Sequence, residues 1–264
     1  VSGAVLLAVT GLALCGGIQR IAWLTERVVP VMAGVYLLAS AAVLILSAEK
    51  LPGIFARMLR EAFQVPAAAG GVLGFLVSRP VGLGMARGVF SNEAGLGSAA
   101  ITAACADTED PVKQGLISMT GVFFDTMVIC TVTGLAICCS GTLGTADGAG
   151  RPLTGAALTL RAFETVLGPL APWLIGVALG LFAFTSVLGC AVQAETTASY
   201  LLGPEAVRPC RVLYGLAVFA GAVIPMATVL QLADLANALM AFPNLVCLLL
   251  LSDEIAGECG RKER

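Results

Sequence analysis

The chain has 264 residues, of which 58% are hydrophobic and only 12% are charged. Soluble domains have roughly 45–50% apolar and about 25% charged residues, so this composition excludes a soluble domain and indicates a multi-pass integral membrane protein. The formal net charge of −2 provides no basic surface for a nucleic acid, which argues against that class of partner.

Apolar runs of membrane-spanning length, separated by short charged segments, give the predicted elements in chain order. Residues 1–17 are predicted to end one helix, and a short amphipathic connection follows. Pro30 is expected in the first turn of the next helix, because the N–H that proline lacks would be unpaired there. That helix runs to about Ser47, and residues 49–64 form an amphipathic segment that we expect to lie on the membrane surface.

Residues 67–106 are unusual because charge, glycine and proline interrupt apolar sequence. An apolar segment at 67–77, about half a bilayer long, is followed by two arginines, a proline and two glycines within 79–87, and then by GVFSNEAGLGSAAITAACA. Two short halves around such a middle are the pattern of a helix interrupted within the membrane. An extramembrane loop between two shorter helices would give the same composition, so the residues alone leave both interpretations open.

Four further spans are predicted, at residues 115–139, 169–194, 211–230 and 232–251. The intervening segment 143–165 is polar and rich in glycine, and it is predicted as a loop. Pro243 lies inside the last span and is expected to kink it.

Polar side chains within these spans are candidates for a solute or ion site. Thr185 and Ser186 either bond to their own helix backbone or, beside a broken helix, provide oxygen ligands suited to an alkali cation. Asp125 and Asp234 are carboxylates within apolar helices. They are either functional or paired with a residue such as Arg87.

The sequence contains no motif of an enzyme or a metal site. It has no histidine, which rules out a Ser-His or Cys-His nucleophile pair within the chain. Its nine cysteines are an odd number without a C-x-x-C pair, so neither a disulfide framework nor a zinc site is predicted. There is no P-loop or dinucleotide fingerprint. We therefore predict no enzymatic activity and no cofactor.

Three blocks of sequence resemble the sodium:alanine (alanine/glycine:cation) symporter family. They are GGIQRIAWLTERVVPVMAGVYLL, ARGVFSNEAGLGSAAITAACADTEDPVKQGLISMTGVFFDT and LMAFPN. The resemblance covers nearly the whole chain and is most specific between Ala86 and Thr126. It implies that residues 67–106 contain a broken membrane helix rather than a loop.

Members of this family are similar to the LeuT type, in which two inverted five-helix repeats hold substrate and sodium where the first helix of each repeat unwinds. The resemblance implies an all-α polytopic bundle, with residues 1–264 as a single transmembrane domain. Residues 1–47 would end the first repeat, and the second would run from the broken helix at 67–106 to about residue 252. Most of the first repeat would be lacking, so the chain by itself is not expected to transport.

The resemblance also implies site residues, because family substrate contacts map onto the SNEAG stretch and the FAFTS helix. The expected substrate-binding residues are Phe90, Ser91, Asn92, Gly95, Ser186 and Cys190, the sodium ligands are Thr185 and Ser186, and the residues that shape the break are Gly88, Glu93 and Gly97. Glu93 is assigned to holding the break open by capping or ion pairing, since its charge would repel a substrate carboxylate.

One departure from the family concerns the wall of the expected pocket. Many members read GWSYYGE where this chain reads GCAVQAE at 189–195. Cys190 therefore stands where an indole is expected. Either the substrate is bulkier than alanine, or a neighbouring side chain fills the space, or the sequence has drifted from function.

The expected function is sodium-coupled symport of a small neutral amino acid such as alanine or glycine, by alternating access in the plasma (cell inner) membrane. The expected ligands are the amino acid and sodium, within a lipid bilayer. One alternative is a truncated membrane protein that does not transport and has only a packing role. Another is a sodium-coupled carrier of a larger amino acid such as glutamine.

Overall fold

The computed structural model describes residues 7–11, 13, 17–63, 73–93, 95–148 and 150–261. Within these residues the regular elements are helices, as the apolar runs predict. In chain order they are α1 (Gly17–Leu46), α2 (Leu51–Phe63), α3 (Leu73–Asn92), α4 (Ser98–Ala103), α5 (Pro111–Val122), α6 (Thr131–Ser140), α7 (Gly155–Leu167), α8 (Ala171–Leu202), α9 (Val207–Val223), α10 (Met226–Leu250) and α11 (Ser252–Arg261). A π-helical segment, Phe123–Cys130, joins α5 to α6.

Five helical stretches in the described part of the chain are long and apolar enough to cross a bilayer. They are Ile21–Leu46, Pro111–Ser140, Ala171–Leu202, Pro204–Val223 and Met226–Leu250. The shortest has 20 residues, which at about 1.5 Å per residue matches a hydrocarbon core of about 30 Å. The protein is therefore a multi-pass integral membrane protein.

Two predicted segments differ from the structure for local reasons. Pro30 lies inside α1 rather than in its first turn, because the amphipathic connection before it is itself helical. The predicted loop at 143–165 contains the start of α7, in which Thr159, Ala162 and Phe163 are buried. Their spacing of three, four and one residues is that of one helix face, a signal that the surrounding glycines and threonines obscured.

The boundary between the last two spans also lies earlier than predicted. Helix α9 ends at Val223 rather than near residue 230, and α10 begins directly after Pro225. Ile224 is extended, with φ −71° and ψ 142°. A residue that precedes proline disfavours the helical conformation, so Pro225 sets this boundary.

The chain divides into two compact units. The packing unit consists of Leu24–Met85 and Phe124–Thr185, and the broken-helix unit consists of Val1–Trp23, Ala86–Phe123 and Ser186–Arg264. The packing unit has an apolar core in which Tyr36 and Phe163 are only 2% and 0% exposed, with ring centroids 5.7 Å apart. Phe182 packs edge-on against Tyr36 at 6.1 Å. Smaller residues complete this core, namely Ala39, Val43, Ala136, Ala171, Ile175 and Ala178.

The broken-helix unit has much less apolar burial among its described residues. Leu96, Leu188 and Ala191 are buried there, whereas α10 buries no residue at all. Polar contacts connect its helices instead, and they surround the stretch that the sequence singles out.

Candidate functional site

Helix α3 stops within the SNEAG stretch. It ends at Asn92, and α4 begins at Ser98. Residues 93 and 95–97 form turns and a bend between the two helices, and Ala94 lies outside the described residues. The chain therefore has a short non-helical interruption, which we call the helix break (residues 93–97).

The predicted middle of the interruption, residues 79–87, is in the wrong place. These residues lie inside α3, and Gly88, which was assigned to the break, lies one turn before the end of the same helix. An added side chain at Gly88 would meet nothing within 4 Å. Glycine and proline are tolerated inside membrane helices, so their density alone does not fix where a helix ends.

Left-handed backbone conformations define the helix break. Glu93, Gly95 and Gly97 have φ of 55°, 75° and 83°. Glycine adopts this region without cost, whereas a glutamate rarely does, so Glu93 is held there by its surroundings. The chain then closes a turn in which the Leu96 N–H donates to the Glu93 carbonyl at 3.2 Å.

The Glu93 carboxylate connects the break to two helices. Its Oε2 accepts a hydrogen bond from the Ser98 hydroxyl at 2.6 Å and another from the Gln193 amide on α8 at 3.0 Å. The same Gln193 nitrogen also donates to Thr102 Oγ1 on α4 at 3.1 Å. One glutamine side chain of α8 thus contacts the chain both at the break and in the helix that follows it.

Helix α10 lies against the other side of the break. A methyl group added to Gly97 would be 2.9 Å from the side-chain oxygen of Asn244, and one added to Gly95 would be 3.8 Å from Leu245. Pro243, just before Asn244, lies inside α10. Because proline has no N–H, it frees a carbonyl one turn earlier in that helix. The kink that the sequence predicts there stays a prediction.

The other residues assigned to the site lie on α3 and α8. Phe90, Ser91 and Asn92 form the last turn of α3, and the Phe90 side chain is 40% exposed. Ser186 and Cys190 are exposed on α8, in the broken-helix unit. They stay candidates, because no ligand identifies their role.

Thr185 belongs to the packing unit and is bonded to its own helix. Its hydroxyl donates to the Phe182 carbonyl at 3.0 Å. This backbone contact is the structural alternative that the sequence leaves open for the pair of hydroxyls. A hydroxyl that donates one hydrogen bond retains lone pairs, so the geometry remains compatible with cation binding.

Two ion pairs brace the broken-helix unit. Arg87 and Asp234 are 2.8 Å apart, so the pairing that the sequence offers as an alternative role for Asp234 is confirmed. Glu195, only 7% exposed, accepts from Arg211 through both of its oxygens at 2.6 and 2.9 Å. A paired carboxylate is the form in which a charge is tolerated at a buried position.

The sequence analysis assigned no role to three of these contact residues. Gln193 and Asn244 occur in the quoted motifs GCAVQAE and LMAFPN, and Thr102 follows the break on α4. Their only sequence signal is a polar side chain in an apolar span. Their partners lie far away along the chain, at a separation of about a hundred residues for Gln193, and local pattern does not reveal such pairs.

Known proteins match this chain over nearly all of its residues. The family model for the sodium:alanine symporter family matches residues 1–260. An "Uncharacterized transporter" of Haemophilus influenzae is 39% identical over 98% of this chain and 56% of its own length. The "Sodium/alanine symporter AgcS" of Methanococcus maripaludis is 38% identical over 98% of the chain and 55% of its own length.

A third relative is the "Probable sodium/glutamine symporter GlnT" of Bacillus subtilis, which is 37% identical over 95% of the chain and 51% of its own length. The chain spans about half the length of the curated relatives it matches. Since the family model covers residues 1–260, the chain belongs to the sodium:alanine symporter family.

Proposed function

We propose that the full-length protein containing this chain is a symporter that uses a sodium gradient to take up a small neutral amino acid, such as alanine or glycine, across the plasma (cell inner) membrane. The family, the five spans and a relative named as a sodium/alanine symporter support this proposal. We assign residues 1–264 to a LeuT-type bundle that works by alternating access. In it, residues 1–47 end the first repeat, and the second runs from 67–106 to about 252.

The observation that carries the proposal is the helix break. The last carbonyls of α3 and the first N–H groups of α4 cannot all be paired within their own helices. Such backbone is tolerated in a membrane only where it lines a cavity or is covered by protein, and broken helices of transporters bind solutes and cations there. We assign Phe90, Ser91, Asn92 and Gly95, which flank or form the break, to the amino-acid cavity.

We assign sodium to hydroxyl oxygens of α8, with Thr185 and Ser186 as ligands. An all-oxygen set suits an alkali cation better than a transition metal. Ser186 and Cys190 are further assigned to the substrate cavity. Glu93 is excluded from the ligands, because its carboxylate already accepts hydrogen bonds from Ser98 and Gln193 and would repel a substrate carboxylate.

Uptake by the full-length protein in proteoliposomes tests this proposal. We expect an imposed inward sodium gradient to drive alanine accumulation, and Asn92→Ala or the pair Thr185→Ala/Ser186→Ala to abolish it. The matched control is Thr196→Ala/Thr197→Ala, a second pair of adjacent hydroxyls on α8, which bond to the Val192 and Gln193 carbonyls at 2.8 Å. Sodium-stimulated uptake that survives in both test variants would contradict the assigned residues.

A larger substrate such as glutamine is the second candidate. The observation that favours it is the exposed Cys190, at a position where many family members have a tryptophan. Competition by alanine, glycine, serine and glutamine measures the preference. If the smaller side chain leaves room for glutamine, Cys190→Trp should weaken glutamine competition at least tenfold while glycine competition remains.

A further inference from the structure

Gln193 has the geometry of a clamp across the helix break. Its Nε2 lies 3.0 Å from the Glu93 carboxylate and 3.1 Å from the Thr102 hydroxyl. A carboxylate only accepts hydrogen bonds, so the amide nitrogen, not the amide oxygen, must face Glu93. Both hydrogens of this nitrogen then have an acceptor, one before and one after the break.

We propose that Gln193 is a positioning residue, which fixes the helix break by tying Glu93 and Thr102 to α8 and so sets the geometry of the backbone used for transport. The last clause rests on the function proposed above. The clamp itself does not, because it concerns only the conformation of residues 93–103.

Two further observations support positioning rather than direct binding of a solute. The amide hydrogens of Gln193 are already donated within the protein, which leaves none for a ligand. Glu93 is the only described non-glycine residue with positive φ, at 55°. A conformation of this kind persists only where contacts enforce it. The contacts of Glu93 from outside its own segment include the bond from Gln193.

Hydrogen exchange of the full-length protein in nanodiscs tests the clamp without any transport measurement. A hydrogen bond to a charged group corresponds to a roughly ten- to hundredfold change in an opening equilibrium. We therefore expect Gln193→Leu to accelerate exchange in a peptide covering residues 95–103 at least tenfold. Thr197→Val, which removes a hydroxyl bonded to the backbone one turn later on α8, is the matched control and should leave this peptide unchanged.

A swapped pair distinguishes a specific clamp from a general packing effect. Glu93→Gln combined with Gln193→Glu retains one amide and one carboxylate with the direction of donation reversed. We expect each single variant to exchange fast and the combination to recover most of the protection. Unchanged exchange in Gln193→Leu, or equally fast exchange in the combined and single variants, would overturn the proposal.

Sodium-driven uptake then connects the clamp to transport. If both proposals hold, Gln193→Leu raises the sodium concentration for half-maximal uptake about tenfold, a change that corresponds to one hydrogen bond to a charged group, and the swapped pair lowers it again. Fast exchange in Gln193→Leu without any sodium-driven uptake in the unmodified protein would overturn the symporter proposal but retain the clamp. Normal uptake in Gln193→Leu despite fast exchange would overturn the link between the two.

Discussion

The packing unit and the broken-helix unit are held together by different kinds of contact. The first has an aromatic and small-residue core around Tyr36 and Phe163, both almost fully buried. The second buries few apolar side chains among its described residues and has two cross-helix ion pairs and the Glu93 network in their place. Apolar packing stabilises without specifying a single geometry, whereas polar contacts in a membrane are directional and fix positions.

The difference matches what each unit contains. A helix break leaves backbone groups that need fixed partners, and apolar side chains do not provide them. We therefore expect substitutions in the packing unit to change stability with loss of apolar volume, and substitutions in the broken-helix unit to change it with loss of polar partners. Four measurements in detergent micelles, from the largest expected effect to the smallest, test this expectation.

Phe163→Ala should have the largest effect, a loss of about 4 kcal/mol in the free energy of unfolding, because it leaves a cavity at a fully buried position. Chemical denaturation of the full-length protein measures it. Phe242→Ala, on a side chain that is 75% exposed on α10, is the control and should change the stability little. Equal losses in the two variants would contradict the distinction between the units.

Arg211→Met should cost about 3 kcal/mol, because it leaves the buried Glu195 carboxylate without its bidentate partner. The same denaturation measures this loss. Replacing both residues, as in Arg211→Met/Glu195→Met, removes the unpaired charge and should recover most of the stability. If the double variant is no more stable than the single one, the ion pair is not what connects α8 to α9.

Gly97→Ala should cost about 2 kcal/mol, because its φ of 83° is left-handed and an added methyl group would be 2.9 Å from the Asn244 oxygen. Gly88→Ala is the matched control, since it lies in α3 with open space around it. There alanine should increase stability, by up to about 1 kcal/mol, through its better helix propensity. Changes of the same sign at both positions would place the break elsewhere.

Tyr36→Phe should have the smallest effect, about 0.6 kcal/mol, the average value of a hydrogen bond between membrane helices. The variant loses the 2.7 Å bond to Thr133 but keeps the ring contacts with Phe163 and Phe182. Tyr36→Ala, which removes those contacts too, should cost several times more. A loss in Tyr36→Phe as large as in Phe163→Ala would mean that polar contacts also dominate the packing unit.

The sequence was most informative where a single local signal decides the structure. Long apolar runs predicted the spans around α8 and α10 to within several residues, and an intramembrane carboxylate correctly suggested the partner of Arg87. Composition was less informative about the break. The residues richest in glycine, proline and arginine are helical, whereas the chain unwinds at Glu93, where contacts from Gln193 and Asn244 converge. Those contacts are long-range, so no window of sequence contains them.

The π-helical segment Phe123–Cys130 has a practical consequence for anyone who maps the lipid-facing surface. Its wider turns accommodate extra residues, and each one displaces the following side chains by about 100° relative to an α-helix. A helical wheel started at Pro111 therefore gives the wrong azimuth for every position beyond Cys130. Scanning or labelling data from this span need two wheels, one on each side of the segment.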